Sequence, residues 1–127
     1  MNNKAPEKLV ETALVLVSNT DVLCVKAIEM FGAMQVKLRK WLTTSSVNHA
    51  RFKEADRMLT QYLDRIIEMR VNVHEHISVD LNDANVDVGT LVRSVNMLEM
   101  YSNSVEDMLT ECKRVLSNAG LGEVFDE

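Results

Sequence analysis

Residues 10–41, VETALVLVSNTDVLCVKAIEMFGAMQVKLRKW, decide the fold. Apolar or small residues recur at Val10, Ala13, Val17, Thr20, Cys24, Ala27, Phe31, Met34, Leu38 and Trp41. The steps alternate three and four, a heptad seam that an α-helix presents to a neighbour. Ser18-Asn19-Thr20-Asp21 interrupts the stretch with residues that prefer caps and turns. A turn there would make two helices of one and would reset the phase of the seam. The phase holds throughout, so the reading is a single helix over about 6–42, opened by Pro6 at a position that favours proline.

Beside the seam runs a column at intervals of seven, Leu9, Leu16, Leu23 and Met30, which predicts a wide buried face. The centre of the stripe, Ala13, Thr20, Ala27 and Met34, is mostly small. Such a stripe suits a helix lying between two others.

Working outward, Thr43-Thr44-Ser45-Ser46 is a short connection in which Ser45 or Ser46 can cap the next helix. Short links make successive helices antiparallel. The second helix, about 46–82, carries Phe52, Ala55, Leu59, Tyr62, Ile66, Met69, Val73 and His76 on its seam, with Leu63 and Ile77 beside it. Glu54, Gln61, Glu68, Glu75 and Asn82 form its solvent face. Asn82 to Asp87 is rich in turn formers. The third helix, about 87–119, carries Val88, Leu91, Val95, Leu98, Ser102, Val105, Leu109, Cys112, Leu116 and Ala119. Gly120 is the expected stop, with Leu121 packing back on Leu116, and residues 120–127 form an acidic tail. The expectation is an all-α protein, one domain over 1–127, of three long antiparallel helices in an up-down-up bundle with coiled-coil-like packing.

Composition agrees. The chain has 127 residues, 46% hydrophobic and 26% charged, with one proline and four glycines. That is ordinary for a globular domain and too poor in turn residues for a β-sandwich. No run of roughly 18–20 uncharged apolar residues exists for a membrane span. The mixed charges of the N-terminus do not have the order of a signal peptide. Two cysteines make no disulfide framework, so a reducing cytoplasm is the expected location. Level-matching the helices sets Cys24 about 10 Å from Cys112, beyond disulfide reach, and both read as small buried hydrophobes.

Motifs for chemistry are missing. No glycine-rich phosphate loop, Cys-x-x-Cys or Glu-x-x-His occurs. His74 and His76 lie about 200° apart on a helix and cannot share a metal ion. His76 is expected on the buried seam, hydrogen-bonded near Asp80, and Ser102 as a buried hydroxyl bonded to its own helix. No catalytic residue, cofactor or metal is expected, and no enzyme activity.

Two surfaces remain as candidates. Val15, Val22 and Val36, with Met97 and Met100, fall outside the seams and suggest an oligomer or partner interface. Residues 37–57 hold six basic residues against two acidic ones, a net of +4, while the rest of the chain carries −9 of the total −5. Lys37, Arg39, Lys40, Trp41, Arg51, Lys53 and Arg57 thus form a candidate anion- or partner-binding tip. The favoured function is a non-enzymatic interaction protein, an adaptor, chaperone or assembly factor, working as a homo-oligomer or on a protein partner. The alternative is a nucleic-acid-associated or packaging and regulatory protein using the basic tip, which the net negative charge disfavours.

Overall fold

The computed structural model describes residues 3–44 and 49–118, and of residues 42–44 and 49 the backbone alone. Three long rods account for nearly all of it: α1 (Glu7–Thr44), α2 (His49–Asn72, continued by a π-helical turn Val73–Ile77 and by Ser78–Leu81) and α3 (Val88–Asn118). The fold is all-α. Cross-helix contacts set the directions. Asp21 meets Arg70 and His74, and Gln35 meets Asp56 and Thr60, so α1 and α2 run antiparallel. Thr20 meets Ser102 and Met34 meets Cys112, so α1 and α3 run parallel, up-down-up.

α1 passes unbroken through Ser18–Asp21. Packing explains why these turn formers are tolerated. Thr20 is buried and shares a 3.3 Å hydrogen bond with Ser102. Asp21 accepts from Arg70, and Ser18 and Asn19 face solvent. Pro6 sits just ahead of α1, and its carbonyl accepts from the amides of Leu9 and Val10. Residues 3–5 also pair with the turn before α3: Ala5 N donates to Val86 O at 2.8 Å, and Val88 N to Asn3 O at 2.9 Å. This short antiparallel bridge pins the start of the chain to the second connection, a contact the heptad pattern does not signal.

The core is two clusters along one seam. One holds Cys24, Phe31, Leu38, Leu59, Ile66, Val105 and Cys112; the other holds Ala13, Val17, Val73, Ile77, Leu81, Leu91 and Leu98. Among the described residues no buried side-chain nitrogen or oxygen lacks a hydrogen bond.

Several expectations need correction. His76 is exposed, and Ile77 and Leu81 take the seam instead. The π turn is the cause: one extra residue rotates everything after Val73 by about 100° relative to a regular helix. Ser102 is half-buried and bonds across to Thr20 rather than to its own helix. Leu9 and Met30 are 54% and 41% exposed, so the column beside the α1 seam is buried only at its half-covered middle, Leu16 and Leu23. Val88 is exposed at the start of α3. Ser94 and Met108 are buried there instead, because α3 turns that side of its seam towards α2. The cap at Ser45 or Ser46, Ala119, the Gly120–Leu121 ending and the acidic tail lie outside the described residues.

Candidate interaction surfaces

α1 is covered by α2 on one flank and α3 on the other, which leaves its third side open. Val15, Val22 and Val36 are 58%, 48% and 62% exposed. By helical rotation they stand on the side of α1 opposite Ala13, Thr20, Cys24, Phe31 and Leu38. Nothing in the packing of the bundle requires valine there, because a solvated helix surface takes polar residues equally well. Met97 and Met100, grouped with these valines by sequence, are placed elsewhere. Met97 lies in the α2–α3 groove, where Asn72 Nδ2 approaches its sulfur at 3.4 Å and also donates to Tyr101 at 2.6 Å. Met100 is exposed on α3.

A second apolar surface escaped the sequence reading. Leu9, Leu16, Leu91, Val92 and Val95 line an open groove of about 320 Å³ between α1 and α3. The column at intervals of seven predicts Leu9 and Leu16 buried, whereas Leu9 is exposed and Leu16 half-buried because α1 and α3 leave this groove open between them. Ile67 and Val71, one turn apart on α2, are likewise exposed; the i, i+4 spacing off the main seam was the available signal.

The basic tip is partly spent on internal pairs. Arg39 Nε lies 3.1 Å from Asp56 Oδ1, and Arg57 lies 2.6 Å from Glu54. Trp41 is half-buried, its ring 5.9 Å from that of Phe52, and packs on the core. Lys37 is half-buried, while Lys40, Arg51 and Lys53 are exposed. Arg51 lines a cleft of about 630 Å³ between the start of α2 and the end of α3, together with Glu54, Arg114 and Val115. The pairing of Arg114 with Glu111 leaves that cleft with both signs of charge.

One polar cluster between α1 and α2 centres on Asp21, and another joins Gln35 and Arg39 to Asp56 and Thr60. The Asp21 Oδ1 accepts from Arg70 Nε at 2.7 Å and from His74 Nε2 at 2.8 Å. Partial burial alone would raise the carboxyl's pKa, but the hydrogen bonds and charges of Arg70 and His74 outweigh it and hold it below its ordinary value. His76 stands apart from this cluster, in a polar groove with Asp80, Thr90 and Arg93. Among the described residues no three His, Cys, Asp or Glu side chains are placed to hold a metal ion. No described helix is long and apolar enough to cross a membrane.

Both thiols are free and buried. The Cys112 thiol points at Met34 Sδ, 3.8 Å away, and burial pushes its pKa up to about 11. Burial also raises that of Cys24, and nearby Asp21 adds to it. Thiols held protonated in this way are poor nucleophiles.

Comparison of the chain with protein-family models, with curated proteins and with solved structures gives no match.

Proposed function

We propose that the chain is a non-enzymatic interaction protein, an adaptor, chaperone or assembly factor, that works through the apolar outer face of α1. The observation that carries this reading is the row Val15, Val22 and Val36, exposed on a helix whose burial needs are already met by two neighbours. A reducing cytoplasm suits its two free, buried thiols. The basic tip is the weaker candidate, because Arg39 and Arg57 are engaged by carboxylates of the bundle itself.

Light scattering on the pure protein, followed by a nucleic-acid binding assay at two salt concentrations, tests the choice. A stable small oligomer indifferent to DNA and RNA supports the proposal. Salt-sensitive nucleic-acid binding, lost on reversing Arg51 and Lys53 to Glu, overturns it in favour of the tip.

A further inference from the structure

Resting on that reading, we infer that the outer face of α1 docks on the same face of a second copy of this chain, antiparallel, about a twofold axis at the middle of the helix. The face is a continuous row: Glu11, Val15, Ser18, Val22, Lys26, Glu29, Ala33, Val36 and Lys40. All nine are exposed. Their mean spacing is the helical repeat, so the row runs straight along α1.

The two ends of the row are complementary to each other in one orientation only. α1 spans Glu7–Thr44, so its midpoint falls between Val25 and Lys26. A twofold axis there sets Glu11 of one copy level with Lys40 of the other. Val15 comes level with Val36, and Ser18 with Ala33. Val22 comes level with Glu29, and Lys26, beside the axis, stands next to the Lys26 of the other copy and about 6 Å along the helix from its Glu29. Glu11 and Lys40 of each copy thus meet the opposite sign, Val15 and Val36 meet just inside them, the small pair lets the backbones approach, and the Glu29 carboxylates flank the two lysines that stand together at the axis. Lys8 and Lys37, at the margin, come level with residues 43 and 14, neither of them charged. A parallel pair would set every residue against itself: Glu11, Lys26, Glu29 and Lys40 would each face a like charge. Isologous pairing of one patch with itself is what a twofold dimer requires.

The available area fits a modest dimer. A helix of 38 residues is about 57 Å long and about 10 Å wide, giving about 600 Å² per copy, the lower limit for specific interfaces. Ile67 and Val71, exposed on α2 next to the Arg70–Asp21 contact, extend the apolar margin. Association in the micromolar range is expected.

Sedimentation equilibrium across micromolar concentrations reads the mass, and cysteine cross-linking under mild oxidation reads the orientation. The native thiols are buried and do not interfere. The expected results are a species of twice the 14.4 kDa chain mass and self-linking of Lys26→Cys beside the axis. Val15→Cys alone should not self-link, because its twin lies about 30 Å away by helical rise; a mixture of Val15→Cys and Val36→Cys should link. Glu11→Lys should weaken the dimer several-fold, and adding Lys40→Glu should restore it. Self-linking of Val15→Cys overturns the antiparallel pairing. A dimer that forms none of these links overturns the pairing and leaves the proposed function standing. A 14.4 kDa species alone overturns self-docking itself.

Discussion

Ile66 and Ile67 are neighbours in sequence and identical in chemistry, yet one is fully buried and the other 47% exposed. Truncating each to alanine isolates burial from every other variable. Helix propensity changes equally at both positions, since they share one turn of α2. Ile66 packs in the cluster with Cys24, Leu59 and Val105. Its truncation removes three carbons, worth about 2.4 kcal/mol in transfer free energy at about 0.8 each, and the cavity term brings the loss to about 2–5 kcal/mol. Ile67→Ala uncovers little and should cost at most about 1 kcal/mol. The whole chain, at about 0.05–0.15 kcal/mol per residue, holds some 6–19 kcal/mol, so both variants remain folded and measurable. Urea unfolding followed by far-UV circular dichroism gives both losses, provided the slopes agree and the protein concentration is fixed, because an associating chain gains stability with concentration. Losses within about 0.5 kcal/mol of each other would refute the assignment of the α2 seam, and with it the placement of the faces of α2.

The remaining predictions test separate features. Asp21 has a folded pKa below 3.8, so its share of stability is present above that value and is lost as pH falls through the folded pKa. The stability gap between wild type and Asp21→Asn should therefore shrink on acidification below about pH 4; a gap independent of pH would remove the Arg70–Asp21–His74 contact from the account. Cys24 and Cys112 should resist a thiol reagent at pH 8 in the folded protein and both react after denaturation; rapid labelling of either without denaturant would contradict its burial. Deleting Glu75 from the π turn should leave a cooperative, fully helical bundle, because a regular helix then delivers Ile77 and Leu81 to the same seam. Deleting Gln61, in a regular stretch of α2, rotates all that follows by about 100° and should abolish cooperative unfolding; equal outcomes for the two deletions would refute the role given to the π turn.

The heptad spacing from Val10 to Trp41 was enough to settle a single α1 across Ser18–Asp21, since seam phase is a local property that survives any packing of the neighbours. The same periodicity placed Ile66, Leu98, Val105 and Cys112 inside and Glu54, Gln61, Glu68 and Glu75 outside, and it singled out Val15, Val22 and Val36 as exposed. What it could not reach depends on matching one helix to another. The π turn at Val73–Ile77 carries no local signature in Val-His-Glu-His-Ile; it lets α2 keep its apolar face on α1 and α3 to its end, and it alone turns His76 out and Leu81 in. Asp21 reads as a helix-breaking nuisance until antiparallel packing brings Arg70 and His74 to it from about 50 residues away. Met97 leaves the company of the valines because α3 presents it to Asn72 of α2. Period decides which face of a helix is buried; only the rotation and level of its partners decide what that face meets.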